Sequence, residues 1–280
     1  MGSWSVPSPR RGECPRGVTL TDMDEGDPGA WVAARHQRGR EPVPPRAQDL
    51  QIAGVQPMSS VDWPGKLVAS LFLQGCPWAC SYCHNHAILD PRTPGEVGWE
   101  EVEGLLARRH GLLDGVVFSG GEATRQAAVV PAMARVHELG FQVGLHTAGA
   151  YPHRLEEVLG AGLVDWVGLD IKALPADYPQ VVGREGSGAK AWRSLDLVLA
   201  HPEVGLEVRV TVYPGGRVDA CAIAAEMRAR GVVSFALQQA RALGAPAGFR
   251  AEDVGWDDQV GAMVRDIGAL GFPEFTFRPA

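Results

Sequence analysis

Residues 66–73 read Lys66-Leu67-Val68-Ala69-Ser70-Leu71-Phe72-Leu73, and one residue later the chain enters Gly75-Cys76-Pro77-Trp78-Ala79-Cys80-Ser81-Tyr82-Cys83-His84-Asn85-His86. A short, nearly continuous apolar run reads as a strand buried on both faces. Five further runs of this kind follow, at residues 115–118, 141–146, 164–170, 206–212 and 232–237. Between them lie stretches with helical periodicity, at residues 99–109, 126–139, 152–159, 189–200, 219–230 and 256–270. Strand and helix alternate strictly, which implies an α/β protein with a parallel sheet and right-handed crossovers. Six such units build either an open doubly wound sheet or a partial barrel, and periodicity alone does not choose between them.

The rest of the chain bounds the problem. Of 280 residues, 26 are basic and 33 acidic, a formal charge of -7. This balance gives no chain-wide electrostatic footprint for nucleic acid, so no nucleic-acid partner is expected. No segment approaches the roughly 20 apolar residues of a membrane-spanning helix, and the N-terminus lacks the apolar core of a secretory signal. A soluble, cytoplasmic protein without a membrane partner is expected. Residues 1–49 hold seven of the 21 prolines and show neither period. They read as a disordered extension, or as the product of a start codon placed too far upstream. Residues 50–280 are expected to form one domain.

Three of the five cysteines, Cys76, Cys80 and Cys83, fall within eight residues directly after the first buried strand. In parallel α/β folds the loops at the strands' C-terminal ends build the active site. Three thiolates on one compact loop can converge on a soft metal centre. A 4Fe-4S cluster with three protein thiolates keeps one iron open to an exchangeable ligand. The plain alternative is a Cys3His zinc knot completed by His84 or His86. Against it stands the absence of a second short cysteine pair downstream. Cys14 reads as incidental and Cys221 as a small buried hydrophobe.

The pattern Cys76-x3-Cys80-x-Tyr82-Cys83 resembles the CxxxCxΦC motif of radical S-adenosylmethionine (SAM) enzymes. The flanking Ser60-Val61-Asp62-Trp63-Pro64-Gly65-Lys66 and Cys83-His84-Asn85 are similar to the activating proteins of anaerobic ribonucleoside-triphosphate reductase, which are glycyl-radical-enzyme activases. The likeness runs from about residue 50 to about residue 240. It implies a partial (β/α)6 TIM-like barrel, a 4Fe-4S cluster on Cys76, Cys80 and Cys83, and SAM as cofactor. It also implies reductive cleavage of SAM to a 5'-deoxyadenosyl radical that abstracts hydrogen from a glycine α-carbon. The partners implied are the reductase and an electron donor such as flavodoxin or ferredoxin. No catalytic residue beyond the cluster and SAM is expected. A small-molecule radical SAM enzyme, similar to 7-carboxy-7-deazaguanine synthase, and a non-catalytic zinc module are the alternatives.

Other strand ends carry candidate cofactor contacts. Gly120 and Gly121 let backbone approach a ligand, and Glu122 can accept a bond from an ammonium group. The family resemblance places the SAM amino group at this motif, although Ala123 stands where the family usually has proline. Thr147-Ala148-Gly149 resembles a family turn beside the cofactor. Asp170 and Lys172 alternate onto one face and can clamp a zwitterion, and a similar Asp-x-Lys in activases contacts SAM. Arg209 and Thr211 share a face, and a guanidinium there suits a carboxylate, at a position that in activases lines the SAM carboxylate. Gln238, Gln239 and Arg241 are expected in a solvated loop.

Overall fold

The computed structural model describes residues 43–280. A single eight-stranded sheet runs in chain order: β1 (Ile52–Ser59), β2 (Val68–Leu73), β3 (Gly115–Gly120), β4 (Gln142–Thr147), β5 (Trp166–Asp170), β6 (Gly205–Val212), β7 (Ser234–Gln239) and β8 (Glu274–Arg278). The β1–β2 pair is antiparallel and the pairs from β2–β3 to β7–β8 are parallel. Helices α1 (Trp99–Ala107), α2 (Val129–Glu138), α3 (Pro152–Gly160), α4 (Tyr178–Val182), α5 (Ser187–Leu199), α6 (Ala220–Ala229) and α7 (Trp256–Gly268) fill the crossovers. The result is a partial barrel, the expected fold.

Each helix forms because its apolar spacing matches one buried stripe. In α2, Val129, Ala132, Met133 and Val136 are all fully buried, an i, i+3, i+4, i+7 set. The β2 strand is buried along nearly its whole length because helices cover one face and the barrel interior the other.

Two strands and a short helix were not expected. β8 is a five-residue Glu-Phe-Thr-Phe-Arg alternation with a half-exposed edge, so it offers no continuous apolar run. β1 carries only two polar side chains and is exposed at Gln56, Pro57 and Met58 in its second half, as suits an edge strand paired on one side. The compact body also begins earlier than residue 50. It starts at Pro45, with a 3-10 turn at Ala47–Asp49, and Ala47 and Leu50 are buried in the core. Residues 47–50 thus pack with the body, and residues 1–42 of the expected extension lie outside the described residues.

Inside the barrel, glycines clear space for large side chains. A β-carbon at Gly144 would stand 2.8 Å from Trp63, one at Gly168 would stand 2.8 Å from the Arg209 guanidinium, and one at Gly205 would stand 2.7 Å from Trp166. Trp63, carried on the β1–β2 loop, stacks on Trp166 at 5.4 Å and forms the barrel floor with Val68 and Val117. Closed barrels fill this space with layers of side chains. Here the floor is aromatic and the space above it remains open.

This packing sets a prediction. Gly144→Ala should lower unfolding free energy by about 1–3 kcal/mol through overpacking against Trp63 and Val117. Gly104→Ala in α1 meets only the flexible end of Arg108 and should raise it by up to about 1 kcal/mol. Denaturant titration of both variants checks the pair of opposite signs.

Candidate functional site

The cysteine loop leaves the end of β2 through Gly75, whose φ of +92° only glycine adopts freely. Backbone bonds then pin it on all sides: Gly75 N–H to Ile88 O (2.8 Å), Cys76 N–H to Leu89 O (3.0 Å) and Ala79 N–H to Val182 O (3.1 Å). Side chains complete the frame. Asn85 Nδ2 donates to Gly120 O at 2.7 Å, and His84 Nε2 accepts the Arg241 N–H at 2.8 Å. Tyr82 packs on Tyr213 at 4.8 Å, and Trp78 meets the edge of Tyr178 at 5.8 Å. The loop is rigid because both neighbouring strand ends and two aromatic contacts hold it.

Cys76, Cys80 and Cys83 line one cavity of about 510 Å³ at the C-terminal end of the sheet. Gly120, Gly121, Thr147, Asp170, Lys172 and Arg209 line the same cavity. Burial is the main force raising the thiol pKa values, and Glu122 adds to it for Cys76, which is pushed up to about 12. Cys80 and Cys83 are raised by burial as well. Buried thiols of this kind keep their protons until a cationic metal replaces them. The donor set fits a cluster: three soft sulfur ligands on a fixed loop, facing a cavity with space beyond them. Among the described residues no three His, Cys, Asp or Glu side chains gather closely enough to chelate a single ion. A cubane does not need that, because each thiolate binds a different iron. Of the two candidate zinc histidines, His84 already uses Nε2 as an acceptor within the fold.

Glu122 is held by hydrogen bonds within the fold. Its carboxylate is buried and does not line the cavity. It accepts from Thr124 N–H (3.1 Å), Thr124 Oγ1 (2.5 Å), Thr147 Oγ1 (2.7 Å) and Ala148 N–H (2.9 Å). With four protein donors, three of them on Oε1 and one on Oε2, it is a knot between the ends of β3 and β4. The same knot fixes the turn at Ala123–Arg125, where a proline would otherwise stiffen it. Gly120 and Gly121 are required by close packing: β-carbons there would stand 2.1 Å from Leu73 N and 2.4 Å from Gly75 O. Thr147 donates to Glu122 and accepts the Gly149 N–H at 3.0 Å, so its hydroxyl belongs to the same knot.

Asp170 and Lys172 do share the cavity, with Lys172 Nζ 3.3 Å from Asp170 Oδ2. Arg209 is more constrained than a free clamp. Its Nε donates to Glu207 at 2.6 Å, its Nη2 to the Asp62 main-chain oxygen at 3.3 Å, and it lies 5.1 Å over the Trp166 ring. Glu207 also receives both terminal nitrogens of Arg278, at 3.0 and 2.8 Å. Gln238, Gln239 and Arg241 line the cavity, contrary to the solvated-loop expectation.

Sequence reading missed Asp62, Ser119, His146, Glu207 and Arg278. His146 Nε2 stands 2.6 Å from the Asp62 carbonyl. The same nitrogen lies 3.1 Å from Arg209 Nη1, and Nδ1 lies 3.2 Å from the Ser119 hydroxyl. Burial first, and then the Arg209 guanidinium, hold the His146 pKa well below its ordinary value. Period two alone places His146 on the same inward face as Gly144, which is the signal that could have revealed it.

The radical SAM superfamily model matches residues 70–219. A Methanocaldococcus jannaschii protein named as a glycyl-radical enzyme activating enzyme is 32% identical, over 58% of this chain and 68% of its own length. The pyruvate formate-lyase-activating enzyme of Clostridium pasteurianum is 32% identical over 56% of this chain and 66% of its own length. The chain thus spans about two thirds of these curated relatives. Among solved structures, Streptococcus suis SuiB bound to S-adenosylmethionine superposes with a TM-score of 0.55 at 13% identity, covering 74% of this chain and 48% of that one. TYW1 with a lysine-pyruvate adduct bound gives 0.50 at 14% identity, covering 72% and 73%. The chain belongs to the radical SAM superfamily. Its relatives are named as activating enzymes of glycyl-radical enzymes, and members of the superfamily use SAM with a 4Fe-4S cluster.

The neutral His146 gives a pH prediction. The unfolded chain takes up a proton on this imidazole below about pH 6.5, whereas the folded chain does so only at much lower pH. Its contribution to stability is therefore full above about pH 6.5 and declines as pH falls, by up to about 1.4 kcal/mol per pH unit. Unfolding titrations between pH 5 and 7 should show that slope, and His146→Gln should remove it.

Proposed function

We propose that this protein is a radical SAM activase that generates a glycyl radical on an anaerobic ribonucleoside-triphosphate reductase. The observation that carries the reading is the single cavity in which Cys76, Cys80 and Cys83 meet Asp170, Lys172 and Arg209. Cys76, Cys80 and Cys83 would hold three irons of a 4Fe-4S cluster and leave the fourth open to SAM. When bound, the cluster supplies the electron for reductive SAM cleavage, which ends in removal of hydrogen from a glycine α-carbon.

The protein's own part is binding, orientation and exclusion of water. Asp170 and Lys172 offer one charge of each sign to a zwitterionic amino-acid moiety. Two guanidinium groups, Arg209 and Arg278, share the single Glu207 carboxylate, which leaves a surplus positive charge facing the cavity. That surplus suits the SAM carboxylate. Gly120 and Gly121 present backbone to the cavity, while Glu122 and Thr147 act as positioning residues beneath it. An acyl-transfer reading of the Ser119–His146 pair, 3.2 Å apart, is not favoured, because burial and the Arg209 guanidinium keep His146 a weak base. The reductant would be a low-potential carrier of the flavodoxin or ferredoxin type.

Anaerobic reconstitution should load about four irons per chain, and Cys76→Ala, Cys80→Ala or Cys83→Ala should abolish the cluster while Cys221→Ala retains it. Metal analysis that finds only one equivalent of zinc would overturn the metal assignment. Incubation of the reduced protein and SAM with a reductase bearing a C-terminal glycyl-radical segment should give a glycyl radical by electron paramagnetic resonance, with 5'-deoxyadenosine formed. A radical on pyruvate formate-lyase alone would reassign the partner, and SAM cleavage with neither protein would point to a small-molecule substrate.

A further inference from the structure

Among the described residues Lys172 is the one buried lysine. It stands in the cysteine-lined cavity, with its ammonium 5.5 Å from the centre of the Tyr82 ring, between Cys80 and Cys83 in the loop. Its main-chain N–H donates to Tyr178 Oη at 3.0 Å, and Tyr178 packs on Trp78 of the same loop. The lysine backbone and the cysteine loop are therefore held to each other, and the ammonium is paired with Asp170 at 3.3 Å. Burial disfavours the charged lysine, but the Asp170 carboxylate together with the Tyr82, Cys80 and Tyr178 side chains around it outweighs that and keeps the pKa well above the ordinary lysine value. The group stays cationic throughout the working range.

The two partners of this ion pair are screened unequally. The Lys172 side chain is 11% exposed and that of Asp170 is 39% exposed. Water therefore weakens the field of the carboxylate more than that of the ammonium. The pair therefore presents a net positive field to the cysteine-lined cavity.

We propose that the Lys172–Asp170 pair sets the reduction potential of the cluster, with Lys172 raising it and Asp170 moderating that effect. Reduction adds one electron to the cluster, taken from an external low-potential one-electron donor, and no other bond changes. The added negative charge is stabilised by a nearby buried cation and destabilised by a nearby anion. This role is separate from any contact that either residue makes with SAM, because it operates before SAM binds. The inference rests on the cluster assignment made above.

The test is a redox titration of the anaerobically reconstituted full-length protein without SAM, followed by electron paramagnetic resonance of the reduced cluster. Lys172→Met removes the charge while keeping the length, and should lower the midpoint. The expected change is about tenfold in the ratio of reduced to oxidised cluster at fixed potential, equivalent to about 59 mV for one electron. Lys172→Arg should restore the parent value. Asp170→Asn should move the midpoint in the opposite direction, which a purely structural role would not do. If Lys172→Met fails to take up iron, the Asp170→Asn shift decides. An unchanged or lowered midpoint in Asp170→Asn overturns the inference, as does an unchanged or raised one in Lys172→Met. Absence of any 4Fe-4S signal in the parent protein would instead overturn the cluster assignment.

Discussion

The Glu207 carboxylate, buried inside the barrel and shared by Arg209 and Arg278, is the interaction on which the upper half of the structure depends. A lone carboxylate at that depth would be strongly unfavourable, and so would a lone guanidinium. Together they hold. Removing one member of a buried pair typically costs about 3–5 kcal/mol because the other is left uncompensated. The consequence reaches beyond energy. Arg278 lies on β8, Glu207 and Arg209 on β6, and Arg209 also donates to the Asp62 carbonyl of the β1–β2 loop. One carboxylate therefore ties the last strand to the middle of the sheet and, through Arg209, to the loop that plugs the floor.

A second knot stabilises the rim in the same way. Glu122 accepts from donors at the ends of β3 and β4, while Gly121 packs directly under the start of the cysteine loop. Gln126 extends this support: its amide donates to Gln51 O at 2.9 Å and Gln74 O at 3.1 Å and accepts the Gln51 N–H at 2.8 Å. The geometry of the cysteine loop is thereby fixed from beneath by the buried, hydrogen-bonded Glu122 and Gln126. A half-satisfied version would be less stable than an apolar core.

The sheet was legible where strands are buried on both faces, and the helices were legible where an apolar stripe repeats. The six expected strands correspond to β2–β7, and the cysteine loop falls where the fold places functional loops. β8 escaped because its Phe275 and Phe277 alternate with polar residues on an exposed edge, a weaker pattern than a continuous run. The partners of Glu122 were hidden for a different reason. A carboxylate beside two glycines looks the same in sequence whether it faces a ligand or a neighbouring turn, and only the positions of Thr124 and Thr147 decide. Arg278 and Glu207 are 71 residues apart, so no local pattern could pair them.

The charge inventory of the cavity follows from that long-range pairing. Lys172, Arg209 and Arg278 supply three positive charges, and Asp170 and Glu207 supply two negative ones, which leaves one positive charge among these five. Arg209 and Arg278 stand on β6 and β8, whereas the three thiols follow β2, four strands or more away across the partial barrel. A ligand bridging that distance meets soft sulfur chemistry at one end and a cationic, hydrogen-bonding surface at the other. Trp63 and Trp166 close the floor beneath the guanidinium of Arg209, so its charge is directed upward into the cavity and is little screened by water. The cationic character of that end thus follows from the barrel's aromatic floor as much as from the arginine itself.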